Sequence, residues 1–161
     1  MAKVTASMSD IKTLREKTGA GIMDAKKALE ESNGDMKKAQ EWIHARGIQL
    51  ADKKAGREAK EGVIVSYVHL GGKIGTMVEL NCETDFVAKT DDFMKLGKEI
   101  AMQVASMQPA TVAELLEQPY IRDPKTNIRD LIKQVAGKVG ENVVVSRFAR
   151  FALGETEAPK S

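Results

Sequence analysis

A chain of 161 residues has room for one medium domain, or for a small module joined to a modest core. Its 42% hydrophobic and 30% charged residues exclude a disordered, solvating polymer. A net charge of +2 argues against a large nucleic-acid footprint, and the lack of any apolar run of roughly eighteen residues excludes a membrane-spanning helix.

Residues 1–47 predict three short helices. Ser9 can accept from the free amides of a first turn, and Ile11, Leu14 and Arg15 follow at helical spacing. Gly19-Ala20-Gly21 breaks this helix, and Ile22, Ala25, Ala28 and Leu29 form the apolar stripe of the second. Asn33-Gly34 supplies a left-handed stop, Asp35 caps a third helix with Met36, Ala39, Trp42 and Ile43 inward, and Gly47 ends it. Ile22 and Met23 cannot both face inward, which leaves an apolar spot at the surface. Residues 48–61 are mostly charged or Ala and read as an exposed helical linker.

The period then changes to two. Val63, Val65 and Tyr67 alternate with Ile64, Ser66 and Val68; after Gly71-Gly72, Ile74, Thr76, Val78 and Leu80 alternate again, predicting a β-hairpin. The second strand runs out into Asn81-Cys82-Glu83-Thr84-Asp85-Phe86-Val87. Thr90 can cap a helix with Phe93, Leu96, Ile100, Val104 and Met107 on one face, stopped by Pro109. A short helix (Val112 to Leu116), an irregular stretch with Pro119 and Pro124, and an amphipathic helix from Ile128 to Val139 follow. Val143 to Leu153 is a last strand, and residues 155–161 form a flexible tail. The expected fold is α+β: a core over 62–154 with a three-stranded antiparallel sheet and helices on one face. Its other face carries apolar side chains that a second copy would cover economically.

Catalytic signatures are lacking. Gly71-Gly72-Lys73 has no upstream glycine at phosphate-loop spacing, and Ile74 stands where Ser or Thr would hold magnesium. His44 and His69 are too sparse for a zinc motif, and Cys82 is the only cysteine. It reads as a small core residue, and it fits a reducing compartment. The first nine residues lack the apolar stretch of a secretory leader and the arginines of a transit peptide. The expectation is a cytoplasmic protein, or one of an organellar matrix or stroma after processing, with no metal, no cofactor and no bond-making chemistry. Glu79, Glu83 and Asp85 fall on one side of the strand by alternation, without a pocket to serve. Phe86 beside Asp85 suits a wedge into a partner, and it equally suits a core residue under the following helix.

Three ordered blocks carry a family resemblance. Leu14-Arg15, Thr18 to Asp24 and Lys26-Lys27-Ala28-Leu29 resemble the N-terminal module of bacterial elongation factor Ts; Asn81 to Ala88 resembles its central motif; Gly140-Glu141-Asn142 resembles its third block. The resemblance implies a ubiquitin-associated-like module over 1–47, an α+β core, and guanine-nucleotide exchange on the GTPase elongation factor Tu. It implies that Thr84, Asp85, Phe86 and Val87 form the exchange wedge. Phe86 would insert between partner helices, Asp85 would disturb the magnesium-linked network, and Thr84 and Val87 would fix the turn, with Val87 as a lesser apolar contact. Val139 and Gly140 would flank the same contact, while Arg15, Ile22 and Met23 would grip a neighbouring helix.

The chain departs from the family in two respects. Only ten residues separate Met107 from Gln118-Pro119-Tyr120, where members usually carry a long helical hairpin. It also holds one core subdomain where long members hold two, which implies a homodimer. Two rival readings remain: a non-exchange binding module using the helical bundle alone, and a member that binds elongation factor Tu but exchanges poorly.

Overall fold

A computed structural model describes residues 5–69 and 71–155. Three helices come first: α1 (Met8–Thr18), α2 (Ile22–Glu31) and α3 (Met36–Asp52). Ser7, not Ser9, caps α1, accepting from the Asp10 amide at 3.1 Å. Ser9 is the second residue of the helix, where its backbone is already helical. Gly19 closes α1 in the left-handed conformation, as do Asn33 and Gly34 after α2. Asp35 caps α3 through the amides of Lys37 and Lys38, and these bonds to the ionised form hold its carboxyl below the usual range. Leu14, Ala25, Ala28, Leu29 and Ala39 make the small core, with Trp42, Ile43 and Met36 packed at its edge.

Gly47 does not end α3, which continues to Asp52. The glycine is there for close approach. A side chain on Gly137 of the crossing helix α7 (Ile128–Val139) would lie 2.3 Å from the Gly47 carbonyl oxygen. The chain thus passes from bundle to core without a hinge, and Ala51 is already part of the larger core. Residues 53–56 form turns and 57–60 are irregular, in place of the expected helix. They are tied down: Lys54 Nζ donates to the Gly140 carbonyl at 2.8 Å, and Asn142 Nδ2 donates to the carbonyls of Ala55 and Arg57.

Strands β1 (Glu61–Val68) and β2 (Ile74–Cys82) pair antiparallel, with Val65 opposite Val78. The last strand, β5 (Val144–Ala152), pairs with β2, giving the order β1-β2-β5. Helix α5 (Asp91–Met107) covers one face, burying Phe93, Leu96, Ile100 and Val104 against Val65, Val78 and Leu80. Gly97 permits this approach, since a Cβ there would meet Val65 at 2.6 Å. Between α6 (Val112–Glu117) and α7, the stretch expected to be irregular forms a small ladder, β3 (Pro119–Tyr120) with β4 (Asp123–Asn127). Fully buried Gln103 anchors it, donating to the Pro119 carbonyl and accepting from the Ile121 amide. Apart from Glu155, the expected tail lies outside the described residues.

Cys82 sits in the core, and burial pushes its thiol up to about 11. The thiolate is therefore populated only in strong alkali, and iodoacetamide at pH 8 is expected to leave the folded protein unlabelled while labelling it in denaturant. Equal labelling rates in the two conditions would contradict this burial.

Candidate functional site

The polypeptide leaves β2 at Cys82 and turns into a four-residue helix, α4 (Asp85–Ala88). Thr84 is its cap, its hydroxyl accepting from the Val87 amide at 3.4 Å. Four residues cannot form a stable helix alone, because nucleation fixes several dihedrals for one hydrogen bond. The surroundings supply the rest. Val87 is 4% exposed and Ala88 is buried in the core, so one side of the turn is nailed down. The opposite side carries Phe86, 78% exposed.

That exposure removes the reading of Phe86 as a core residue beneath the next helix. Val87, expected mainly to fix the turn and secondarily as an apolar contact for a partner, faces inward. Asp85 is exposed, and its carboxylate accepts from Lys89 Nζ at 3.0 Å. This bond and the ammonium charge hold the Asp85 carboxyl below its usual value. The side chain is therefore charged throughout the neutral range.

Asp85, on α4 and not on the strand, shares no site with Glu79 and Glu83. Glu79 accepts from Arg147 Nε at 2.6 Å and Glu83 from the Asn142 amide at 2.8 Å. No cluster able to hold a metal ion occurs among the described residues. His44 and His69 are both exposed, the latter hydrogen-bonded to the Tyr67 hydroxyl.

The C-terminal end of α7 is where the three sequence blocks meet. Lys138 pairs with Asp92 at 2.9 Å, and its side chain lies against Gly19 of the N-terminal loop. Val139 packs partly against the core, and Gly140 closes the helix at a φ of 80°. Glu141 then reaches across to the central motif. Its carboxylate accepts from the Glu83 and Thr84 amides, both at 3.0 Å, and from the Thr84 hydroxyl at 2.6 Å. Arg15, on α1, is exposed and donates from Nε to the Ala20 carbonyl. Ile22 and Met23, at the start of α2, are 53% and 75% exposed. The expected inward stripe of α2 thus omits Ile22, and both residues form a surface apolar spot.

Glu141, Asn142 and Lys54 were not singled out by local periodicity, because their bonds span more than fifty residues of chain. The only sequence signal was the joint presence of the second and third blocks.

A family model described as "Elongation factor TS" matches residues 83–159. The chain is 43% identical to a protein named "Elongation factor Ts" from Synechococcus elongatus, covering 96% of this chain and 90% of that protein. It is similarly 42% identical to one of the same name from Synechocystis, over 96% and 91%, and 43% identical to one from Carboxydothermus hydrogenoformans, over 98% and 92%. These alignments span 201 or 202 positions, more than the 161 residues of the chain, so the relatives carry residues that have no counterpart here.

Proposed function

The chain belongs to the elongation factor Ts family, and on that premise we propose that it promotes nucleotide release from elongation factor Tu by means of the exposed Asp85-Phe86 tip. The observation that carries the proposal is a large aromatic ring held in solvent on a turn whose opposite side is buried in the core. Exchange requires no bond-making. It requires a surface that binds the nucleotide-free GTPase better than the nucleotide-bound form, and by linkage the same factor then weakens nucleotide binding. Phe86 would enter a crevice between helices of the partner. Asp85, already ionised, would bring negative charge toward the magnesium-linked network that holds the phosphates. Val139 and Gly140 would border this contact, the bare Gly140 backbone permitting close approach. Arg15, Ile22 and Met23 would hold a second partner helix and orient the tip.

Added to elongation factor Tu carrying a fluorescent GDP, the chain is expected to accelerate release, and Asp85→Ala to slow it. No acceleration by the unmodified chain would overturn the proposal and favour a bundle that binds without exchange.

A homodimer belongs to the same reading. On the sheet face away from α5, Val68, Gly75 and Phe151 stand in one row, with Met77 and Ala149 in the next. Phe151 is 67% exposed, and the bare Gly75 leaves open space beside it. Packing two such faces together would remove the patch from water. Met77→Glu is expected to halve the molar mass measured by light scattering; an unchanged mass would remove this face from the interface.

A further inference from the structure

We propose that Glu141 is a positioning residue for exchange, holding α4 in the orientation that projects Phe86 without itself touching the partner. The proposal rests on the exchange reading above. Three observations carry it. First, the Glu141 carboxylate engages the two backbone amides that lead into α4 and also the hydroxyl that caps it. With its proton committed to Glu141, the Thr84 oxygen presents its lone pairs toward the Val87 amide. Second, the contact is reciprocal. Glu83, the residue before the cap, accepts from the Asn142 amide at 2.8 Å. Buried Asn142 is in turn fixed by the Ala55 and Arg57 carbonyls, and Arg57 lies 3.7 Å from Glu83. Third, the buried Val87 and Ala88 anchor only one side of α4, and a four-residue helix cannot order its own capped entry, which is the part the Glu141 carboxylate holds.

The Glu141 clamp therefore sets the fraction of molecules whose tip is ready to bind. Losing it lowers that fraction, and apparent affinity falls in proportion, but the bound complex is the same once formed. Glu141 and Phe86 should thus affect different kinetic quantities. Phe86 acts on the release step within the complex, and Glu141 acts on how much protein is needed to form it.

The test follows release of fluorescent GDP from elongation factor Tu against concentration of the 161-residue chain, for the wild type, Glu141→Gln, Phe86→Ala and the double variant. Glu141→Gln is expected to raise the half-saturating concentration roughly tenfold, with the plateau rate within about twofold of wild type. In the Phe86→Ala background the same substitution is expected to add less than about twofold, because there is no longer a ring to position. By NMR on the free protein, the Val87 amide is expected to exchange its hydrogen roughly tenfold faster in Glu141→Gln while core amides stay protected. This arm keeps the test independent of activity.

Unchanged half-saturation in Glu141→Gln, alongside a lowered plateau in Phe86→Ala, would overturn the role of Glu141 and leave the exchange reading intact. A tenfold effect that persists in the Phe86→Ala background would also overturn it, marking Glu141 as a direct contact. Wild-type release by Phe86→Ala would sink both.

Discussion

Phe86→Ala is expected to lower the plateau rate of stimulated GDP release by roughly 30- to 150-fold while leaving the melting temperature unchanged. The magnitude follows from burying one aromatic ring in a partner, about 2–3 kcal/mol, with about 1.4 kcal/mol per factor of ten. That energy becomes available only in the complex. In the free protein the ring is 78% exposed, so folding gains little from it and its removal costs little. The pairing of a large functional loss with an unaltered melt is what separates a presented wedge from a structural residue. Val87, one position on, has the opposite profile, buried among Cys82, Phe93 and the other core side chains. Adjacent residues of the motif thus divide the work: one faces the core and fixes the turn, the other faces outward.

Gly137→Ala is expected to produce a clear loss of stability. Its new methyl would lie 2.3 Å from the Gly47 carbonyl oxygen and 2.6 Å from the Gly47 Cα, and none of these atoms can rotate away. Helices α3 and α7 would have to separate. Overpacking of this kind costs about 1–3 kcal/mol, and each kcal/mol shifts the melting temperature by about 2–4 °C for a chain of this size. Gly47→Ala is the control. Its methyl would sit 3.7 Å from the Gln134 carbonyl oxygen, an ordinary contact, and alanine is the better helix former by about 0.5–1 kcal/mol. That variant is expected to melt at or above the wild-type temperature. An unchanged melt for Gly137→Ala, measured by circular dichroism, would contradict the close crossing. The crossing also sets where the bundle, with Arg15, Ile22 and Met23, lies relative to the core that presents Phe86.

Helices and strands were legible where one physical signal dominated. The alternation of Val63, Val65 and Tyr67, the left-handed Asn33-Gly34 stop and the Thr90 cap each specify their element locally. Gly47 misled because a glycine that ends a helix and a glycine that admits another helix look alike in one dimension; only the position of Gly137 tells them apart. The β3–β4 ladder escaped notice because it is held by Gln103 from a different helix and has no apolar alternation of its own. Residues 53–60 looked like part of an exposed helix for the same reason, since their partners Gly140 and Asn142 lie more than eighty residues on.

At the site, the residues alone left Phe86 open between wedge and core, while the resemblance implied an outward Phe86 and gave Val87 both a turn-fixing and a contact role. Helical geometry on a four-residue turn, fixed by Glu141 from afar, decides that Phe86 points out and Val87 points in. The surface apolar spot at Ile22 and Met23 was legible, because one short helix cannot turn both residues to its core. Exposure of these residues identifies surfaces, and kinetics must assign their roles.

The most direct test is a stopped-flow titration of elongation factor Tu, loaded with fluorescent GDP, against the wild-type chain and Phe86→Ala. The wild type should drive release along a hyperbola to a high plateau, and the variant should reach a plateau at least tenfold lower with the same melting temperature. Equal plateaus for the two proteins would show that the exposed tip is not what expels the nucleotide.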